Sequence, residues 1–200
     1  MYTLINGSQK NISSNSQYFL NKISEVLDEY IIFDLKKDKY EDIIYNIKQS
    51  DTIVLAFPLY VDSPTSLTLN FLDYLYDNNI SLNNKKLYTI INCGFIEGEQ
   101  NTTAANIIKN FCTKKNIIYC GSILIGAGEI VGKTKYKLIS TTALKKLNIF
   151  SNCIKNKEKC EDIITTINFI NQKLYCKLAN ISWNKKAKYN KISKKDVIEG

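Results

Sequence analysis

Between Gly7 and Ser16 the chain sets Ser8, Lys10, Ser13, Ser14, Asn15 and Ser16 where an apolar run, Leu4 and Ile5, meets a segment of helical spacing. Hydroxyls, an amide and an ammonium gathered at the start of a helix suit the holding of an anion. The first backbone N–H groups of a helix have no intrahelical partners, and the helix dipole places partial positive charge on them. A phosphate satisfies both, with Ser8, Ser14, Asn15 and Ser16 as side-chain donors and Lys10 as the formal charge. Gly7 lets the chain turn where the strand ends. A capped turn rich in small polar residues accounts for the same pattern without a ligand.

Two further loops carry candidate residues. Phe57-Pro58-Leu59-Tyr60-Val61-Asp62-Ser63-Pro64 follows an apolar run and holds both prolines of the chain, and Asn92-Cys93-Gly94-Phe95 follows another. Each has a plain structural reading, Pro64 starting a helix and Gly94 making a turn. Composition removes several other chemistries. With no histidine and no CxxC pair among six cysteines, zinc sites and histidine-based catalysis lack their usual groups. The cysteines fall among apolar residues and read as buried thiols, Cys93 beside Gly94 being the one kept as a candidate. The net charge of +8 comes from lysine alone, since the chain has no arginine. Without guanidinium forks to grip phosphates and guanine edges, nucleic acid is not an expected partner.

The elements that must position these loops are legible as a repeating pattern. Apolar runs at 2–5, 30–35, 52–57, 86–92 and 117–125 read as strands, and amphipathic segments at 16–27, 40–47, 66–76 and 103–114 read as helices between them. Strands without polar alternation are expected where helices cover both faces of a parallel sheet. The pattern predicts an α/β fold with a doubly wound sheet of five parallel strands and helices on both faces, the chain after residue 134 being helical. Its last part reads as two short segments, around Trp183 and over 194–198. Ligands of such sheets lie beyond the carboxyl ends of the strands where the strand order reverses, so the three loops are expected to converge. The chain divides into a main domain, 1–179, and a basic extension, 180–200, with six lysines against Asp196 and Glu199. No run of 18 apolar residues and no basic-plus-apolar leader occurs, so neither a membrane span nor a signal peptide is expected, and a cytoplasmic location is.

Taken together the three loops resemble the flavodoxin-like NAD(P)H-dependent FMN reductase and quinone reductase family. Gly7 and Ser8 match its Gly-Ser-Pro-Arg phosphate loop, with Gln9 in place of proline and Lys10 in place of arginine. Ala56 to Pro64, followed by Leu67 and Phe71-Leu72-Asp73, is similar to the family's flavin-bracketing loop and next helix. Asn92-Cys93-Gly94-Phe95 with Gln100-Asn101 is similar to the loop on the other edge of the ring. The resemblance implies the strand order 2-1-3-4-5 and FMN as cofactor, held by Ser8, Lys10, Ser14, Asn15 and Ser16 at the phosphate and by Pro58, Leu59, Tyr60, Val61, Asn92, Cys93, Gly94 and Phe95 around the ring. It implies NADH or NADPH as donor, a small acceptor such as a quinone or free flavin, and a homodimer. The physical fit is direct. A flat apolar ring needs walls such as Pro58, Leu59 and Tyr60, and its polar edge needs donors such as the backbone N–H groups of Cys93, Gly94 and Phe95. The cofactor carries the chemistry, so no catalytic side chain and no metal is expected.

Three alternatives compete. A flavodoxin-type electron carrier binds the same cofactor, but such carriers tend to be acidic and this chain is basic. A non-catalytic flavin-binding module is the second. The third rests on Ala127 to Thr134, which fits a relaxed Walker A pattern with Lys133 and Thr134 in the nucleotide-binding places. That pattern belongs to the first strand-helix unit of its sheet, and no later strand here offers a magnesium-binding Asp. Glycines 126, 128 and 132 are therefore expected to shape a loop.

Overall fold

The computed structural model describes residues 1–10, 14–132, 137–167 and 171–192. Strands β1 (Tyr2–Asn6), β2 (Tyr30–Asp34), β3 (Thr52–Pro58), β4 (Lys86–Asn92) and β5 (Ile118–Ile125) alternate with helices α1 (Asn15–Ser24), α2 (Tyr40–Gln49), α3 (Ser66–Asp77) and α4 (Thr102–Lys114). A short helix α5 (Gly128–Val131), the long helix α6 (Lys137–Lys155), strand β6 (Ile163–Thr165) and helix α7 (Gln172–Tyr189) complete the order. All strand pairs are parallel and the sheet runs β2-β1-β3-β4-β5-β6.

The sheet therefore has six strands, where the sequence predicts five. β6 spans three residues, too few for a periodic signal, and it forms only because Ile163 to Thr165 pair with Ile123 to Ile125 of β5. Two side chains hold the connection in place. Asp162 accepts from Ser122 N–H at 2.8 Å, and Lys146 Nζ donates to the Ile164 carbonyl at 2.6 Å.

Both faces of the sheet are covered, which explains the lack of polar alternation in β3 and β4. On one face Ile5, Leu55, Phe57, Leu87, Ile91 and Leu124 meet Ile43, Ile44 and Ile47 of α2, Phe71, Leu72 and Leu75 of α3, and Ala104, Ala105 and Ile108 of α4 in one core cluster. On the other face lie α1, with Phe19, Leu20 and Ile23 fully buried, and α6, whose Phe150 packs edge-on against Tyr88 of β4 at 6.0 Å. Burying each of the α1 side chains contributes about 1.5–3 kcal/mol. α1 stops at Ser24, short of the expected Leu27, and Leu27 is buried from the turn that follows.

One irregularity bends β5. Leu87 faces Tyr119 and Tyr88 faces Gly121, so Cys120 is an extra residue in the strand. Gly121 sits there at φ 128°, and a Cβ on it would lie 2.7 Å from both the carbonyl oxygen and the Sγ of Cys160.

The compact unit ends at Ile167, and residues 168–200 form a second unit. The boundary expected at 179/180 falls inside α7, a single 18-residue helix that contains Trp183 in place of the first of two short segments. The shift to basic composition marks side chains of this helix, and composition alone does not mark where a helix begins. The segment at 194–198, Lys133 and Thr134 lie outside the described residues. Of the cysteines, 93, 112 and 120 are buried, 153 and 160 are half-buried, and Cys176 on α7 is exposed, a departure from the buried-thiol expectation. Among the described residues no helix is long and apolar enough to cross a membrane, and no group of three acidic, cysteine or histidine side chains could hold a metal ion.

Replacing Gly121 by Ala combines a left-handed backbone with a steric clash and should lower unfolding free energy by at least about 2 kcal/mol in urea titration. A second test concerns Cys112 of α4, whose thiol burial pushes up from its ordinary 9 to about 12. The unfolded chain then releases this proton first as pH rises. Stability is complete below pH 9 and falls by up to about 1.4 kcal/mol per pH unit above it, until the folded thiol also ionises. Urea titrations from pH 8 to 11 should show that decline, with a shallower slope in Cys112→Ala.

Candidate functional site

The carboxyl ends of β1, β3 and β4 lie side by side at the point where the strand order turns back. Asn6 is opposite both Asp34 and Ala56, and Pro58 is opposite Asn92. The three loops singled out in the sequence leave the sheet from these neighbouring ends.

The first loop is braced by α3. Gly7 N–H donates to the Ala56 carbonyl at 2.8 Å, and Thr65 Oγ1, the cap of α3, donates to the Gly7 carbonyl at 2.6 Å. A side chain on Gly7 would run into Thr68 Oγ1, so glycine is required there for close approach, its φ not being positive. Gln9 Nε2 donates to Ser66 Oγ at 2.6 Å, and Lys36 Nζ to the Gln9 carbonyl at 3.0 Å. Sequence reasoning missed Thr65, Ser66 and Thr68 as supports, although Thr-Ser after Pro64 is a helix-start signal.

Within that frame Ser8 is buried, its N–H donating to Asn6 Oδ1 at 3.1 Å and its Oγ accepting from Lys10 N–H. Ser14 caps α1 by accepting from Gln17 N–H at 3.0 Å. Both hydroxyls keep a proton to donate. Asn15 and Ser16 open α1, where backbone N–H groups have no intrahelical acceptor. Lys10 Nζ is 3.8 Å from Glu129 Oε1 of α5. Ser16 Oγ and Asn92 were both expected to meet a ligand, but the structure joins them to each other. Both are buried, and Asn92 Nδ2 donates to Ser16 Oγ at 3.0 Å and to the Phe57 carbonyl at 3.2 Å. Their side chains position the site from beneath.

The second loop closes on itself as a tight turn. Tyr60 and Ser63 exchange N–H···O bonds of 3.0 and 3.1 Å, with Val61 at φ 49° and Asp62 at φ 57° between them. Positive φ at both central residues is the I′ hairpin geometry, which suits Asn, Asp and Gly and disfavours a β-branched residue. Leu59 is buried and its N–H donates to the Asn92 carbonyl at 2.8 Å, whereas Tyr60 is 42% and Val61 98% exposed. Pro58 is half-buried at the end of β3.

In the third loop Gly94 faces open space and Phe95 is 56% exposed. Cys93 N–H, expected as a donor to a ligand, instead donates to the Ile125 carbonyl at 3.0 Å, and the Cys93 carbonyl accepts from Gly128 N–H at 2.8 Å. The Cys93 thiol is buried, contacts the Phe95 and Glu97 carbonyls and accepts from Asn101 Nδ2 at 3.5 Å. Burial pushes its pKa up, so it stays protonated and packs as an apolar group. The carboxyl edge of the sheet thus carries polar groups at the start of α1, Ser8, Lys10, Ser14 and Asn15, after β1, and exposed apolar side chains, Tyr60, Val61 and Phe95, on the loops after the neighbouring β3 and β4. That division matches a ligand with a phosphate at one end and a flat ring at the other.

A family model described as NADPH-dependent FMN reductase matches residues 3–108. No curated protein matches the chain by sequence. Among solved structures the chain is similar to an NADPH-quinone reductase from P. pentosaceus at 18% identity, over 76% of this chain and 96% of that one, with a TM-score of 0.56. It is similar to general stress protein 14 from Treponema denticola, solved in complex with FMN, at 13% identity over 77% and 99% of the two chains with a TM-score of 0.58. An FMN-dependent NADH-azoreductase from Bacillus anthracis, also solved with FMN, gives 13% identity over 78% and 99% with a TM-score of 0.56. At these identities the likeness is one of fold.

Because Val61 is almost wholly exposed, relieving its backbone loses no burial. Val61→Gly should raise unfolding free energy by about 1 kcal/mol in urea titration. A fall in stability would show that the turn carries no strain at this residue.

Proposed function

Because the chain belongs to the NADPH-dependent FMN reductase family, and is thereby an FMN-dependent oxidoreductase, we propose that the cleft at the carboxyl ends of β1, β3 and β4 holds FMN and serves transfer of hydride from NADH or NADPH to a small acceptor such as a quinone or free flavin. The observation that carries this reading is the joining of a helix-capped anion cradle to an exposed aromatic end across neighbouring strand ends. The residues present fit the group: Ser8 and Ser14 hydroxyls, the opening N–H groups of α1 and the Lys10 ammonium suit a phosphate, and the space at Gly94 admits a ring edge.

When bound, FMN supplies two-electron hydride chemistry that no protein side chain offers. The residues around it have narrower tasks. Tyr60 and Phe95 would flank the ring, and the buried Leu59 would back it. The backbone N–H groups of Gly94 and Phe95 would meet the ring's polar edge, where donors favour the electron-rich reduced form. Lysine must neutralise the 2′-phosphate if NADPH is the donor, because the chain has no arginine. Exposed Tyr60 and Val61 leave the ring open to a small acceptor, and a homodimer is the proposed assembly.

The test is anaerobic. Protein reconstituted with FMN should lose its visible flavin absorbance on addition of NADH or NADPH and regain it on addition of a quinone. Tyr60→Ala and Phe95→Ala should each weaken FMN and riboflavin alike by roughly tenfold, the loss of about 1.4 kcal/mol of stacking. Flavin binding without bleaching by either nucleotide would overturn the reductase reading.

A further inference from the structure

The glycine-rich run that starts at Ala127 has a structural use that bears on the phosphate end of the cleft. Gly128 and Gly132 lie one helical turn apart. A Cβ on Gly128 would be 2.9 Å from Asn92 Oδ1, and a Cβ on Gly132 would be 2.6 Å from Asn15 Oδ1. α5 therefore lies directly against the residue that opens α1 and the residue that closes β4. It is anchored from the third loop as well, since Ala127 N–H donates to the Phe95 carbonyl and Gly128 N–H to the Cys93 carbonyl. Glu129, the next residue, reaches from this anchored turn to within 3.8 Å of Lys10.

Lys10 is the one cation that residues 7–10 and 14–16 contribute. Among the described residues, Lys36 is bound to the Gln9 carbonyl and Asp34 accepts from Asn6 Nδ2. A carboxylate held against Lys10 does two things to an arriving phosphate. It competes for the ammonium, and it adds a like charge at the mouth of the cradle. Neither effect touches a ligand that lacks the phosphate.

We infer that Glu129 is a specificity-determining residue of the flavin site: through Lys10 it weakens the hold on the phosphate, so that phosphorylated flavin is bound loosely enough to exchange and is favoured over riboflavin less than Lys10 alone would dictate. The inference rests on the flavin reading above. It also accounts for the Ala127 to Gly132 run, whose glycines serve the close seating of α5.

The experiment is a set of fluorescence titrations of the apoprotein with FMN and with riboflavin. Glu129→Gln should tighten FMN by about two- to fivefold, the range for a partly exposed ion pair, and leave riboflavin unchanged. Glu129→Lys should tighten FMN further. In a Lys10→Met background the gain from Glu129→Gln should shrink. An unchanged ratio of FMN to riboflavin affinity, or an equal gain without Lys10, overturns the inference while leaving the flavin site intact. Failure of the wild-type protein to bind either flavin overturns the flavin reading itself, and the inference with it.

Discussion

One buried amide ties the working end of this molecule together. Asn92 ends β4, and its Nδ2 reaches both Ser16 Oγ on α1 and the Phe57 carbonyl on β3, while its own carbonyl accepts from Leu59 N–H. Gly128 is seated against its Oδ1 side. Three segments distant in sequence thereby meet at one residue in an interior where an unpaired amide would cost about 1–3 kcal/mol. The side chain ties the start of α1 to the end of β3, and the same residue's main-chain carbonyl holds the turn that follows β3. Its burial turns a polar residue that looked like a ligand contact into the frame for the contacts.

The site is layered accordingly. Beneath lies a polar frame with little freedom: Asn6, Ser8, Ser16, Thr65, Thr68, Asn92 and Asn101 are all buried, and the frame is joined by side-chain to backbone bonds. Above it stand a few exposed groups, Lys10, Tyr60, Val61 and Phe95, on loops that the frame holds in place. This is the arrangement expected where a cofactor supplies the reactivity and the protein supplies orientation. The Cys93 thiol belongs to the lower layer, because desolvation keeps it protonated and its neighbours are carbonyls. Val61, a β-branched residue at φ 49°, belongs to the upper one, where departures from preferred geometry tend to collect.

Much of this architecture was legible before any coordinates. Five of the six strands and the first four helices follow from unbroken apolar runs and from apolar residues at helical spacing, signals that depend only on local sequence. β6 was not legible, because three residues carry no period and Ile163 to Thr165 become a strand only beside Ile123 to Ile125. Composition likewise does not follow the elements near the end of the chain. The lysines of residues 180–200 form a compositional feature, whereas α7 begins at Gln172 irrespective of charge.

The chain's own residues determined the fold class, the three loops and the kind of ligand they suit, since residue type fixes which groups can donate, stack or carry charge. The sequence also determined that no histidine or arginine could take part. Only the tertiary structure decided which of the expected residues are engaged internally and which stand exposed. Ser16, Asn92 and the Cys93 N–H are engaged internally, while Thr65, Thr68 and Glu129 enter from segments the sequence reading did not connect to the first loop. The physical reason is that a hydrogen bond uses up a donor whose identity is written locally, but its partner is chosen by what packing brings within about 3 Å.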